Sequence, residues 1–121
     1  MMANLHTTLR AQAKRALPIL KGGLNLLETK GWCQHHAWMT NDGDIARRVK
    51  DADKFCAVGA ILAAGGRAIR AIHLATSALN ANIANGVGVT GYNDTPGRTK
   101  RQVIGLFRRT IANVQTISER E

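Results

Sequence analysis

The stretch Asn93-Asp94-Thr95-Pro96-Gly97-Arg98-Thr99 carries the strongest local signal in the sequence. Asn93 and Asp94 are residues whose side chains accept hydrogen bonds from neighbouring backbone amides, and the Pro-Gly pair favours a tight turn. Thr99 and Gln102 lie three residues apart, which is the spacing of a capping box at the start of a helix. The stretch therefore predicts a turn that leads directly into the last helix.

Apolar residues at steps of three and four residues predict helices over much of the chain. The last helix has an apolar face made of Val103, Leu106, Phe107, Thr110, Ile111 and Val114. The opening segment has another, made of Leu5, Leu9, Ala13, Ala16, Leu20, Leu24 and Leu27. Pro18 is expected to kink or break this first helix, because proline removes a backbone donor. Gly31 is expected to close it as a left-handed C-terminal residue.

Two further helices are expected in the middle of the chain. The second begins with Asp53 as its N-cap and ends at Gly65-Gly66. Its inner face is predicted to contain Phe55, Val58, Ile61 and Leu62. The third runs from about Arg67 to about Ala84. Its inward residues are predicted to be Ile69, Ile72, Thr76, Leu79 and Ile83.

No segment demands a β-strand, and the stretch from Asn85 to Gly97 is rich in Gly and Asn, as loops are. We therefore expect an all-α fold. It is a compact single domain of four to five helices with a long Gly/Asn-rich loop before the last helix. Residues 1–121 form this domain, with residues 1–19 as an N-terminal helical extension and residues 118–121 as a frayed tail.

The chain is strongly basic, with 17 Lys and Arg residues against 8 Asp and Glu residues. A positive field favours nucleic acid, an acidic protein face or an anionic metabolite as partner, although net charge also serves solubility. No apolar run is long enough to span a membrane, and the first residues lack the pattern of a secretion signal. With only two cysteines, a cytoplasmic location is expected.

Three motifs occur in order along the chain: Gly31-Trp32, Phe55-Cys56-Ala57-Val58-Gly59-Ala60, and the stretch Tyr92 to Thr99. Together they resemble an uncharacterised domain family of bacterial, notably actinobacterial, and phage proteins. That family has a Trp, a Phe/Trp-Cys-x-x-Gly-Ala step and an Asn-Asp-x-Pro-Gly-Arg-Thr segment. The resemblance covers roughly Leu20 to Ala112 and implies a compact helical domain of unknown activity.

A cluster of cations at the start of the last helix predicts an anion site. Arg98, Lys100 and Arg101 crowd a helix N-terminus, where the helix dipole disfavours positive charge unless an anion binds there. Arg101 also shares a helix face with Arg108 and Arg109, which suggests a basic stripe. The predicted anion- or partner-binding residues are Asn93, Asp94, Arg98, Thr99, Lys100, Arg101, Arg108 and Arg109. The alternative is that Asp94 neutralises Arg98 and the cluster is purely structural.

Other motifs are interpreted as structural. The Gly86-Val87-Gly88-Val89-Thr90-Gly91 run lacks the strand and following helix of a dinucleotide site. Cys33, His35, His36 and Cys56 lack the spacing of a structural zinc site, so no metal or cofactor is expected. Cys56 is expected in the core. A nucleophilic Cys56 assisted by His36 or His73 remains an alternative.

Two functions are compatible with these features. The first is a small basic non-enzymatic binding protein of a phage or mobile element. It would engage nucleic acid or an acidic face of a host protein complex, as an inhibitor of host defence does. The second is a small enzyme or anionic-ligand-binding domain with a site around Asn93, Asp94, Arg98 and Cys56. The absence of a P-loop or nucleophile elbow favours the first. Homo-oligomer formation stays open, and no membrane partner is expected.

Overall fold

The computed structural model describes residues 2–120, with side chains from Thr8 onward. Within this range there are five helices: α1 Met2–Thr29, α2 Ala57–Gly65, α3 Ile69–Ala81, α4 Gly88–Asp94 and α5 Lys100–Ser118. Three short strands also form: β1 Gly31–Trp32, β2 Trp38–Met39 and β3 Lys54–Phe55. Short 3-10 turns cover Val49–Asp51 and Ala84–Gly86. The expected compact, mostly helical domain is confirmed, and none of the helices described is long and apolar enough to cross a membrane.

Helix α1 packs against α2, α3 and α5 and forms the centre of the fold. Leu20 and Leu27, from its apolar stripe, are fully buried, whereas Leu9 is exposed. The side chain of Leu5 lies outside the described residues. Of the kink or break expected at Pro18, the break is wrong, because the helix continues through this residue, and the kink stays a prediction. Pro18 lies on the exposed side, and burial of the opposite stripe against three helices outweighs the lost backbone bond.

The small sheet is a feature that the sequence did not predict. Strand β3 lies in the middle, parallel to β1 and antiparallel to β2. Gly31 belongs to β1 and is not the expected left-handed end of α1: its N–H donates to the carbonyl of Asp53 at 2.8 Å. A Cβ atom at Gly31 would lie 2.7 Å from Cγ of Lys54, so glycine permits the close approach of these two strands.

The start of α2 also differs from the prediction. Its N-cap is Cys56, whose Sγ accepts a hydrogen bond from the N–H of Gly59 at 3.2 Å. Asp53 instead accepts a bond from the N–H of Asn41 at 2.9 Å. Phe55 lies in β3 and is buried, whereas Leu62 is exposed. The end of the helix is as expected, since Gly66 has the positive φ that suits glycine.

The segment before α5 is more ordered than the sequence indicated. Helix α3 is shorter than predicted at both ends, and Ile69, expected to face inward, is 68% exposed. The expected long loop contains α4, which buries Val89 and Asn93. These two residues anchor a seven-residue helix despite its two glycines. Ile83 follows α3 and is partly buried.

Helix α5 agrees closely with the prediction. The capping box between Thr99 and Gln102 is present in both directions. The predicted apolar face is buried except at Ile111, which is partly exposed. The helix ends at Ser118, as expected, and the backbone oxygen of Arg120 accepts a hydrogen bond from Arg10 at 2.7 Å. Glu121 of the predicted tail lies outside the described residues.

Candidate functional site

Asn93 is the structural centre of the most informative motif. Its side chain is 1% exposed and makes four hydrogen bonds. The oxygen accepts from Nε1 of Trp32 at 2.8 Å and from the N–H of Ala57 at 3.0 Å. The nitrogen donates to the carbonyl of Cys33 at 3.2 Å and to Oδ1 of Asp94 at 2.9 Å. An amide side chain has two donors and two acceptor sites, so Asn93 is fully used inside the protein.

The position of Asn93 explains why an amide is needed there. The β1–β3 ladder continues one bond beyond the strands, from the N–H of Cys33 to the carbonyl of Phe55 at 3.1 Å. The chains then separate, and the Asn93 amide lies between the carbonyl of Cys33 and the N–H of Ala57. It thus replaces a backbone pair in the ladder. The expected bond to a neighbouring backbone amide is wrong, since these partners are distant in sequence.

Asp94 also binds a distant segment. Its Oδ1 accepts the N–H of His35 at 2.9 Å, and its Oδ2 lies 3.8 Å from Nδ1 of the same histidine. Burial raises the pKa of Asp94, but the hydrogen bonds from His35 and Asn93 and the charges of His35 and His36 together hold this pKa below its usual value. The carboxylate therefore fastens the segment after β1 to the end of α4. Its proposed neutralisation of Arg98 is not observed among its contacts.

Arg98 is fixed by Tyr92, a residue in the last turn of α4. Its Nε donates to the carbonyl of Tyr92 at 2.8 Å, and its guanidinium lies 3.7 Å from the centroid of the Tyr92 ring. Nη1 also lies 3.4 Å from Oε1 of Gln102. Tyr92 is in the last turn of α4, whose carbonyl end is partially negative. Arg98 is thus stabilised by a helix C-terminus and a cation–π contact.

Lys100 has an equivalent position at another helix. Its Nζ donates to the carbonyl of Lys30 at 2.7 Å, immediately beyond the end of α1. Two of the three cations that the sequence places at the positive end of α5 therefore reach the negative ends of other helices. These contacts account for Arg98 and Lys100 without a bound anion. The helix N-terminus alone no longer argues for a ligand.

The remaining predicted cations lie on the exposed surface of α5. An open depression of about 510 Å³ is lined by Lys100, Arg101, Ile104, Gly105 and Arg108. Arg108 contacts Glu28 of α1 at 2.6 Å. Among the residues with described side chains, Arg101 and Arg109 have no ion pair or hydrogen bond.

The predicted site thus divides into two groups. Asn93, Asp94, Arg98 and Thr99 are engaged in bonds within the protein. We call the other group the α5 basic face; it consists of Lys100, Arg101, Arg108 and Arg109. Gly105, which was not among the predicted site residues, contributes no side chain to the depression. The sequence feature that could have drawn attention to Gly105 is the presence of a glycine inside an amphipathic helix.

Both thiols are protected by their surroundings. Burial is the largest cause that raises the pKa of Cys33, to about 11, and it also raises the pKa of Cys56. Sγ of Cys33 donates to the carbonyl of His36 at 3.3 Å, while Sγ of Cys56 caps α2. Neither thiol is activated as a nucleophile.

Within the described residues, no three His, Cys, Asp or Glu side chains are grouped to hold a metal ion.

Comparison with known proteins agrees with the resemblance that the motifs carry. Residues 11–113 match a family described as "Family of unknown function (DUF6197)", a range that includes the three motifs. The chain matches no curated protein and no solved structure at a significant level. Because the family match covers most of the chain, this protein belongs to the uncharacterised family DUF6197.

Proposed function

We propose that the protein is a non-enzymatic binding protein whose α5 basic face contacts the phosphate backbone of nucleic acid. The observation that carries this proposal is the depression of about 510 Å³ bordered by Lys100, Arg101 and Arg108. Arg101 has no internal partner among the described side chains, so its guanidinium donors are free. A guanidinium presents a planar set of donors that fits phosphate oxygens in pairs.

The distribution of charge supports an anionic ligand at this face. Helix α5 contains no acidic residue over its whole length. The acidic side chain in contact with the face is Glu28, which pairs with Arg108. Four of the eight acids are instead in the segment between β2 and β3: Asp42, Asp44, Asp51 and Asp53. A surface with this separation of charge attracts phosphate over distances of about a Debye length, ~8–10 Å.

The composition favours contact with the backbone over contact with bases. No aromatic residue lines the depression, and aromatic residues make up only 4% of the chain. Stacking of single-stranded bases on aromatic rings is therefore a poor explanation. Phosphate contacts position a protein without reading sequence, so we expect binding with little sequence preference.

The experiment is a fluorescence-anisotropy titration of a random-sequence 20-base-pair DNA duplex at several salt concentrations. Two phosphate contacts, made by Arg101 and Arg109, predict roughly a 12-fold loss of affinity between 50 and 200 mM salt. The double variant Arg101→Gln/Arg109→Gln should bind more weakly and show a smaller salt dependence. Arg47→Gln/Lys50→Gln is the matched control, because it removes the same charge from exposed positions outside the face.

The same titration, repeated with poly-glutamate, tests whether the partner is an acidic protein surface instead of nucleic acid. An acidic protein surface, such as one on a host nuclease complex blocked by a phage protein, is mimicked by poly-glutamate. Binding to poly-glutamate without binding to DNA or RNA would overturn nucleic acid as the ligand and favour the inhibitor hypothesis. Absence of binding to either polyanion at 50 mM salt would overturn the whole proposal. No observation favours the enzyme alternative, since its residues are engaged in internal bonds.

A further inference from the structure

A second basic depression lies between α1 and α3, away from the α5 basic face. It has a volume of about 270 Å³. Its lining consists of Thr8, Ala11, Gln12, Arg15, Arg70 and Leu74. We call it the α1–α3 cleft. Its two arginines come from different helices and are not among the predicted anion-binding residues.

Arg15 and Arg70 are both exposed. Among the residues with described side chains, neither has an ion pair or a hydrogen bond. Helix α3 contains no acidic residue, and the acidic residue of α1 is Glu28, near its opposite end. Two like charges that line one cleft repel each other. No described carboxylate in either helix offsets this repulsion within the cleft.

The α1–α3 cleft differs from the α5 basic face because neither of its two cations has an internal partner among the described side chains. On α5, Lys100 and Arg108 already contact oxygen atoms of α1 and its end. In the α1–α3 cleft both guanidinium groups keep their donors for an external ligand. The walls contributed by Ala11 and Leu74 are apolar, so the two guanidinium groups are the charged groups of the lining. Each guanidinium can make charge-assisted hydrogen bonds to an anion.

The surface of α1 connects the two basic regions. Lys14, Lys21 and Glu28 follow one another at intervals of seven residues, so they share one side of the helix. Both lysines are exposed, and Glu28 contacts Arg108 of the α5 basic face. At 1.5 Å per residue, the distance along the α1 axis from Arg15 to Glu28 is about 20 Å. This distance corresponds to about six base pairs of duplex DNA at ~3.4 Å per pair.

We propose that the α1–α3 cleft is a second phosphate-binding site, occupied by the same nucleic acid that contacts the α5 basic face. This inference rests on the proposed function and extends it: the ligand is a nucleic acid segment that crosses the exposed surface of α1. Arg15 and Arg70 each bind backbone phosphate at one end of this path. Lys21 supplies positive charge between the two ends, and Lys14 supplies it beside the Arg15 end.

The test compares the salt dependence of duplex binding for three charge-matched double variants. These are Arg15→Gln/Arg70→Gln, Arg101→Gln/Arg109→Gln and the control Arg47→Gln/Lys50→Gln. Loss of two phosphate contacts should lower the salt exponent by about 1.8. Between 50 and 200 mM salt, the fold-decrease in affinity of the cleft variant should then be about 12 times smaller than that of the wild type. Thermal melting by circular dichroism checks that the variants are folded, which we expect because the substituted side chains have no described partner.

The outcomes separate the inference from the proposed function. If the α5 variant binds more weakly and the cleft variant binds like the control, the second site is wrong and the proposed function stands. If only the cleft variant is weakened, the cleft is the phosphate site and the α5 assignment is wrong. If the wild-type protein binds no duplex at 50 mM salt, both are overturned.

Discussion

The side-chain oxygen of Asn93 accepts a hydrogen bond from the backbone N–H of Ala57 at 3.0 Å. Ala57 is the first residue of α2, and the first amides of a helix have no acceptor within it. Because Ala57 is fully buried, water cannot take the place of this acceptor. Asn93 therefore completes the start of a helix that lies 36 residues earlier in the chain.

We predict that Asn93→Leu strongly destabilises the fold. The substitution keeps a similar volume but leaves the buried N–H of Ala57, the carbonyl of Cys33 and Nε1 of Trp32 without their partner. Each such group costs about 1–3 kcal/mol, so the free energy of unfolding should fall by at least about 3 kcal/mol. Urea unfolding measures this loss. The control Asn113→Leu removes one exposed bond to Asn82 and should cost less than about 1 kcal/mol. Similar losses for both variants would contradict the role of Asn93.

Glycine positions provide a second prediction with an internal control. A Cβ atom at Gly59 would overlap the backbone oxygen of Ala37, whereas one at Gly105 would have Nη1 of Arg109 as its nearest neighbour, at 3.5 Å. Gly59→Ala should therefore destabilise the protein by about 1–3 kcal/mol, because backbone must move. Gly105→Ala should stabilise it by about 0.5–1 kcal/mol through helix propensity. Thermal melting of the two variants should show shifts of opposite sign. A Gly59→Ala variant that melts at or above the wild-type temperature would contradict the predicted overlap with Ala37.

The buried thiol of Cys33 predicts a loss of stability at alkaline pH. Burial is the largest cause that raises its pKa from 9.0 to about 11 in the folded protein. Between these values the unfolded chain releases the proton and the folded protein keeps it. The free energy of unfolding therefore falls as the pH rises through this window, by up to about 1.4 kcal/mol per pH unit for one proton. Below pH 9 this contribution is constant.

The measurement is urea unfolding under reducing conditions at pH 8, 9 and 10. We expect the decrease to be smaller in Cys33→Ala than in the wild type. Some decrease should remain in that variant, because burial also raises the pKa of Cys56. Identical pH dependence in the two proteins would show that Cys33 ionises equally in the folded and unfolded states.

Features encoded by local sequence were predictable, and features created by distant contacts were not. Helix α5 has 19 residues with a capping box and a continuous apolar face, so its start and its core were predicted from residues close in sequence. The strands have two residues each, too few for an alternating pattern to be visible. Helix α4 is held by the distant partners of Asn93 more than by the helix propensity of its own residues.

The candidate site illustrates the same limit in electrostatic terms. The sequence places Arg98, Lys100 and Arg101 at the unfavourable end of α5, and from this cluster a bound anion was inferred. The carbonyl that stabilises Lys100 belongs to Lys30, which is 70 residues away in sequence. No local pattern could reveal it. Arg101, Arg108 and Arg109 were expected on one side of α5 from helical spacing, and all three are exposed.

The ion pair between Arg108 and Glu28 yields a prediction that tests the proposed function by gain of binding. Its atoms lie 2.6 Å apart, and the two side chains are 63% and 38% exposed. An exposed pair contributes about 0–1 kcal/mol to stability, so Glu28→Gln should leave the fold almost unchanged. The substitution releases Arg108 for a phosphate contact and removes the negative charge beside the α5 basic face. Affinity for duplex DNA at 50 mM salt should therefore rise.

In Glu28→Gln, the additional phosphate contact made by Arg108 should also increase the salt dependence. The loss of affinity between 50 and 200 mM salt should be about 3.5-fold greater than in the wild type. Asp51→Asn is the matched control: Asp51 pairs with Arg48 at 3.2 Å, also at the surface, but in the segment between β2 and β3. Both variants change the net charge by the same amount. A rise in affinity and in salt dependence confined to Glu28→Gln would assign the contact to Arg108. An equal rise in both would mean that net charge, and not the α5 basic face, governs binding.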